Sequence, residues 1–320
     1  MNSKDTEKYN AQAMMLANRV SKRYKHLKKG FAKQNIDVFR LYDWDIPEIR
    51  VVVDWYAGHL VIAEYTRMQS IPGWLKIMGS HVAELMGVPS EKIHYKERRA
   101  GYQDGKRYER IDFTNEKIVM AERDLNFYVN PNDYVDTGLF SDHRNTRMMV
   151  RELSEGKNFL NLYCYTGAFT CYAAKGGAGL TTSVDRSGTA ISWLRENLTL
   201  NGISTENNLA LALPVLVFLE RAKRKDIRYD LAVIDPPSFS TSRDNEKDFD
   251  IVKDHPMLLR RSAELMNSGA IIFFSTNHQD FVSRLNQLNF TEVNEITSAT
   301  IPDDYLSKQK KIHRCWKIIV

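Results

Sequence analysis

From about residue 157 the chain alternates between two textures. Apolar, strand-like runs (NFLNLY, TTSVD, DLAVIDPP, GAIIFFS) are separated by amphipathic stretches over FTCYAAKGG, TAISWLRENLTLNG and HPMLLRRSAELM. Strand and helix in strict alternation give βαβ units, and these close only as a mostly parallel sheet covered by helices on both faces. The pattern therefore demands an α/β, Rossmann-like, doubly wound domain over 133–320. Ligands of such sheets sit at the carboxyl ends of the strands, so the residues just after each strand are the ones to read for chemistry. The stretch LALALPVLVFLER, with Pro214 inside an apolar run, shows no clear period.

Residues 1–132 predict a smaller α+β domain. No acidic residue falls between Glu7 and Asp37, whereas Arg19, Lys22, Arg23, Lys25, Lys28, Lys29 and Lys33 all do. Leu16, Val20, Tyr24, Leu27 and Phe31 recur at steps of three and four, which describes a helix with one face to bury and one positively charged. RVVVDWYAGHLVIAEY reads as two strands joined at Ala57, Gly58 and His59, a helix follows from about Pro72 to Met86, and KIVMAE with LNFYVN forms a second strand pair. A further basic segment, KERRAGYQDGKRYER, interleaves arginine and lysine with tyrosine and contains Arg98, Arg99, Lys106 and Arg107. Two basic surfaces suit phosphate contacts along a nucleic acid; the plainer alternative is a solvated helix face.

At 320 residues with a net charge of +5, the chain has the size of one large and one small domain. No apolar run reaches the roughly 18 residues of a membrane span, and MNSKDTEKYN lacks the apolar core of a secretory signal. Three cysteines, Cys164, Cys171 and Cys315, have neither disulfide-framework nor metal-ligand spacing, so a reducing cytoplasm and a metal-free site are expected.

Gly167 stands at the first strand-to-helix turn, where a glycine admits close approach of a ligand. About twenty residues on, Asp185 ends the next strand, in position to accept hydrogen bonds from ribose hydroxyls. One glycine is too few for the pyrophosphate of a dinucleotide, which needs several backbone donors. S-adenosylmethionine carries no phosphate and suits the pair better; a tight turn and a helix cap would explain both residues without any ligand.

Asp235 ends the strand VID and runs into Pro236, Pro237 and Phe239. Prolines fix the backbone and leave carbonyls unpaired, and an aromatic offers a stacking face, which together can hold an extruded base. A proline turn after a core strand is the alternative.

The stretches DTGLFSDHRNTRMM, NFLNLYCYTGAFT, SVDRS, NLTLNG, VIDPPSFS, FFSTN and IHRCWKI resemble, in order and spacing, the guanine-N7 methyltransferase half of the bacterial bifunctional 23S rRNA methyltransferase. NRVSKRYKHLKKGFAKQNIDVFRLYDWDIPEIRVVVD resembles the lead-in of the same half, so the likeness covers nearly the whole chain. It implies a class I methyltransferase fold in a free-standing chain, with S-adenosylmethionine as donor and a guanine of large-subunit rRNA, naked or in a ribosomal assembly intermediate, as acceptor; a separate methyltransferase would be a further partner. It also implies that Asp142, His143 and Arg144 border the cofactor pocket, that Asn161, Tyr163, Tyr165 and Gly167 line its methionine side, and that Asp185 with Arg186 line its ribose and adenine side. Asp235, Pro236, Pro237 and Phe239 would hold the base, with Asn277 as a further candidate.

Three rivals remain. Cytosine-C5 enzymes share the style of these motifs but need a cysteine nucleophile, and FFSTN has none. N6-adenine enzymes use a related proline-proline loop, but Ser238 follows the prolines here. A non-catalytic RNA-binding or assembly protein on a decayed fold is the third, motivated by Pro214 in the place of an acidic residue that would bind the adenine amino group.

Overall fold

The computed structural model describes residues 3–66, 71–99, 110–240, 249–306 and 311–320. The chain divides into two compact units, residues 1–137 and 138–320.

The first unit opens with helix α1 (Ser3–Lys33), followed by strands β1 (Val38–Asp43), β2 (Val51–Tyr56) and β3 (His59–Thr66), helix α2 (Trp74–Met86) and strand β4 (Ile93–Arg99). These strands form one sheet in the order β1-β2-β3-β4, antiparallel except for the parallel β3–β4 pair that α2 bridges. The β2–β3 connection turns at Ala57 and Gly58, both at positive φ (42° and 97°). Two such residues in succession supply the backbone twist that a two-residue hairpin needs. The apolar stripe of α1 does what its spacing demands. Leu16 and Val20 are fully buried, while Tyr24 packs on Trp55 and Phe31 on Phe39 with ring centroids 4.6 and 4.7 Å apart. Burying each such side chain contributes about 1.5–3 kcal/mol, so the helix is anchored through this stripe and its lysine face turns outward. A hairpin of β5 (Ile118–Glu122) and β6 (Leu125–Val129) completes the unit.

The second unit contains α3 (Arg144–Glu152), β7 (Asn158–Leu162), α4 (Ala168–Lys175), β8 (Leu180–Asp185), α5 (Gly188–Leu200), β9 (Asn208–Ala212), α6 (Val215–Arg224) and β10 (Tyr229–Ile234). A short ribbon follows, β11 (Phe239–Ser240) with β12 (Phe249–Asp250), then α7 (Ile251–Ala263), β13 (Met266–Thr276), β14 (Glu292–Glu295), α8 (Thr297–Thr300) and β15 (Arg314–Ile319). Seven of these strands make one sheet in the order β14-β15-β13-β10-β7-β8-β9. The five from β13 to β9 run parallel, and β15 is antiparallel to both of its neighbours. This is the doubly wound α/β architecture that the sequence demands. The strand order reverses direction between β7 and β10, which makes their carboxyl ends the switch point where such sheets bind ligands.

Helix α7 shows how the unit tolerates an irregular sequence. Pro256 lies inside it and has no N–H to offer the Val252 carbonyl. Arg284 takes that place, donating from Nη2 to Val252 O at 2.8 Å, while its backbone N–H donates to His255 Nε2 at 3.1 Å.

Candidate functional site: the rim above β7, β8 and β10

The three strands end level. Leu162 is in register with Val184 on one side and Ile234 on the other, so the segments after β7, β8 and β10 emerge side by side.

After β7 the backbone is unusual: Tyr163, Tyr165 and Gly167 all have positive φ, at 59°, 49° and 80°. Non-glycine residues enter this region only where surroundings enforce it, and such strain concentrates at ligand loops. Here Cys164 N donates to Val184 O (3.1 Å), Gly167 N to Cys164 O (2.9 Å), and Tyr165 N to Asp185 Oδ2 (3.0 Å). Gly167 is required sterically as well, because a Cβ there would lie 2.3 Å from Cγ of Leu194. The Tyr165 ring stands 5.2 Å from that of Phe140. Tyr163 is half-buried, and burial with the nearby carboxylates Asp185 and Asp254 pushes its hydroxyl up from its ordinary value. Asn161 lies beneath the rim: its amide donates to Thr170 at 2.9 Å, Thr170 bonds Ser183 at 2.7 Å, and the network joins β7, α4 and β8 inside the core.

Asp185, at the tip of β8, is 4% exposed. Its two carboxylate oxygens accept from Tyr165 N and from Ser187 N (2.8 Å), so the same group shapes the β7 loop and starts α5. A carboxylate accepts about four hydrogen bonds, so this role is compatible with receiving ribose hydroxyls. Arg186, the next residue, is exposed. Pro214 is the residue before α6 and makes no side-chain cap.

On the β10 side, Asp235 is part-exposed, and its Oδ1 accepts from Ser275 Oγ at 2.6 Å. The loop after it is held by Ser238, whose hydroxyl donates to Asn277 Oδ1 at 2.7 Å and whose carbonyl accepts from Ile251 N at 3.1 Å. Pro236 is buried, Pro237 half-buried, and Phe239 is 38% exposed at the start of the β11–β12 ribbon. An aromatic, a carboxylate and a fixed turn thus share one rim with the β7 loop.

Asp142, His143 and Arg144 precede and open α3, and the structure separates their roles. Arg144 is 1% exposed and closed in a two-pronged pair with Asp304 at 3.1 and 2.9 Å, joining α3 to the 303–305 turn. His143 faces Asp235: its Nε2 is 3.8 Å from an oxygen of Asp235 and equally far from Asp142. Burial, foremost, and then the neighbouring His313 bring its pKa down to about 4. His313 is not among the site residues expected from sequence, although it lies in the IHRC stretch. It stacks on His143 with centroids 4.1 Å apart and planes 10° from parallel. Its Nδ1 is 2.9 Å from Asp142 Oδ2. Asp142, His143 and His313 bring three possible ligand atoms within 4.8 Å of one another. A metal must lie close to the plane of each imidazole it binds, and two parallel, stacked rings give one ion no point in both planes.

Of the basic residues, Lys22, Lys25, Lys28 and Lys29 are placed along α1, where Lys22, Lys28 and Lys29 are exposed and Arg23 is half-buried. Arg98 and Arg99 end β4; Lys106 and Arg107 lie outside the described residues.

Residues 48–288 match the family described as S-adenosylmethionine-dependent methyltransferase. The ribosomal RNA large subunit methyltransferase K of Neisseria meningitidis serogroup B is 40% identical over 311 residues, covering 94% of this chain and 86% of that protein. The chain belongs to the S-adenosylmethionine-dependent methyltransferases, in the large-subunit methyltransferase K family. The K/L protein of Syntrophotalea carbinolica is 39% identical over 96% of this chain, which spans 43% of that longer relative. Among solved structures, SMU.776 complexed with SAH superposes with a TM-score of 0.79 at 22% identity, covering 97% of this chain and 82% of that one, which supports the class I methyltransferase fold. The donor is S-adenosylmethionine. Its electrophilic methyl sulfonium brings the reactive group, and the rim fits it: a strained loop with two tyrosines after β7 and a fixed carboxylate after β8, with no demand for pyrophosphate donors. No described helix of this methyltransferase is long and apolar enough to cross a membrane.

Proposed function

We propose that this methyltransferase acts on N7 of a guanine in large-subunit rRNA, by direct transfer without a covalent enzyme–base intermediate, in the cytoplasm. The observation that carries the proposal is the adjacency of the β7 loop and the Asp235–Phe239 loop on neighbouring strand ends of the switch point. Guanine N7 has a lone pair and no proton, so attack on a methyl group needs alignment and exclusion of water rather than a base. The side chains agree with this requirement. Asp235 is held by Ser275, and its carboxylate favours the positive charge that develops on the ring. Phe239 offers the base a stacking face, and the fixed Ser238 turn sets the angle at which the base enters.

The cytosine-C5 alternative requires a reactive thiolate. All three cysteines are buried, and burial raises each thiol, Cys171 up to about 12. Cys315 is beside Ser275 in the sheet register, but it is wholly enclosed. The lysine face of α1 is the proposed phosphate contact, supplying affinity and register while the β10 loop supplies base choice.

The test is incubation of the purified chain with labelled S-adenosylmethionine and large-subunit rRNA from cells lacking the corresponding modification, followed by nucleoside mass spectrometry. Label in 7-methylguanosine supports the proposal. Label in another nucleoside moves the chemistry, and binding of rRNA without any transfer supports a non-catalytic assembly role.

A further inference from the structure

The hydroxyl of Thr300 decides the protonation of a histidine. Thr300 Oγ1 donates to Thr297 O at 2.9 Å, which uses its only proton. It is also 3.0 Å from His313 Nε2, and with its proton spent it can only accept there. His313 must therefore carry a hydrogen on Nε2. On the other side of the ring, Nδ1 lies 2.9 Å from Asp142 Oδ2, an acceptor. For that contact to be a hydrogen bond, a second proton must lie between them. His313 is 1% exposed, so no solvent dilutes the requirement, and imidazole is the more basic partner.

We infer that His313 is held as a buried imidazolium between Thr300 and Asp142, and that with His143 stacked on it the pair positions Asp235 for the acceptor base. The second half rests on the reading of Asp235 as the base-facing carboxylate. The charged groups acting on His143, besides His313, are Asp142, Asp235 and Arg147, and Arg144 on the same helix is paired with Asp304. A cation in the floor suppresses a second charge stacked directly upon it, so His143 stays neutral. His143 Nε2 faces two carboxylates and Nδ1 faces Thr146 Oγ1 at 3.4 Å, which selects the Nε2–H tautomer. A neutral donor facing Asp235 Oδ2 at 3.8 Å, opposite Ser275 on Oδ1, would fix the carboxylate plane without cancelling its charge once the contact shortens. Tightening from 3.8 Å to hydrogen-bond distance accompanies base binding, as positioning contacts are often long in the free enzyme. Asp142, His143 and His313 are thus positioning residues.

The test is multiple-bond ¹H–¹⁵N correlation on protein labelled at histidine nitrogens, at pH 7, with His313 assigned by its absence in His313→Gln. Two protonated-type nitrogens for His313, and one protonated Nε2 for His143, are expected. In Thr300→Val the Nε2 acceptor is gone, and His313 should revert to the neutral Nδ1–H form. A neutral His313 in the wild type overturns the inference, as does an imidazolium that persists in Thr300→Val. The functional arm is His313→Gln, whose amide can still donate to Thr300. It should lower kcat for methyl transfer on the order of tenfold to a hundredfold, with KM for RNA and affinity for S-adenosylhomocysteine unchanged; an unchanged kcat, or a loss confined to KM, removes the positioning role. If the wild type modifies no rRNA at all, the proposed function fails while the spectroscopic result still decides the imidazolium.

Discussion

Ser275 Oγ donates to Asp235 Oδ1 at 2.6 Å, tying the end of β13 to the first residue after β10. A short bond to a carboxylate oxygen is a strong one, and it leaves Asp235 Oδ2 as the oxygen turned toward His143. Asp235 is therefore oriented before any base arrives. Asp235→Asn keeps the shape of the side chain and removes its charge. Methyl transfer is expected to fall on the order of a hundredfold or more, while calorimetric affinity for S-adenosylhomocysteine stays within about twofold. Retained turnover would make the residue structural.

Pro214 offers no side-chain acceptor, either to the first turn of α6 or to an adenine amino group. Pro214→Asp introduces both. Its carboxylate can cap the helix, worth about 1 kcal/mol, and, with the adenine lying where the resemblance implies, would add a hydrogen bond worth about 1–3 kcal/mol. The variant should melt higher and bind S-adenosylmethionine roughly tenfold more tightly. Unchanged calorimetric affinity would show that the adenine amino group is met by another acceptor.

Gly167→Ala meets two obstacles at once, a φ of 80° and a Cβ placed 2.3 Å from Leu194 Cγ. Destabilisation of about 2–4 kcal/mol is expected from strain plus overpacking, read as a lowered urea midpoint, together with weakened S-adenosylhomocysteine binding. A midpoint equal to that of the wild type would mean that the loop and Leu194 yield freely.

Folded His143 accepts a proton only near pH 4, whereas an unfolded histidine does so near 6.5. Between those values the unfolded chain binds more protons. The stability that comes from burying His143 in neutral form is thus complete above pH 6.5 and is lost as pH falls toward 4. The ceiling is about 3 kcal/mol. Burial also lowers His94 and His255, which act in the same direction. Urea midpoints measured at about pH 7, 5.5 and 4.5 should fall more steeply for the wild type than for His143→Asn, and parallel slopes would contradict the assignment.

Lys28→Glu with Lys29→Glu reverses charge on the exposed face of α1 and keeps every residue of the apolar stripe, losing only the Lys28 ammonium over the Tyr24 ring. RNA affinity should drop, and its dependence on salt should flatten by about one unit of log–log slope for each phosphate that the helix no longer neutralises. Affinity for S-adenosylmethionine should not change. An unaltered salt slope would exclude the helix from the interface.

How legible the molecule is in its sequence depends on how local each signal is. Gly167, Asp185 and Asp235 can be placed because each stands at, or within a few residues of, the end of an apolar strand, and strand ends are the chemical side of a parallel sheet. Helix α1 can be read because its apolar stripe is uninterrupted. Helix α3 escapes such reading: its buried face carries Arg144, Thr146 and Arg147, so its charged side is turned inward and the rule that places the apolar side in the core misreads it. β9 and α6 escape as well, since Pro214 divides an almost continuous apolar run whose strand half alternates only weakly between covered and open. His313 is hidden for a different reason. It meets Asp142 across 171 residues, through the antiparallel insertion of β15 beside β13, and no local pattern encodes that pairing.

The register of β8, β7 and β10, with Leu162 level with Val184 and Ile234, also bears on how enzymes of this architecture diverge. Neighbouring strands are fixed about 4.8 Å apart by their backbone ladders, so the separation of donor loop and acceptor loop is inherited from the sheet itself. If residues 235–239 hold the base as proposed, substitutions confined to them alter what is presented to the methyl group while the strand spacing beneath stays as it is. On that reading, acceptor choice and transfer distance are set by separate parts of the fold.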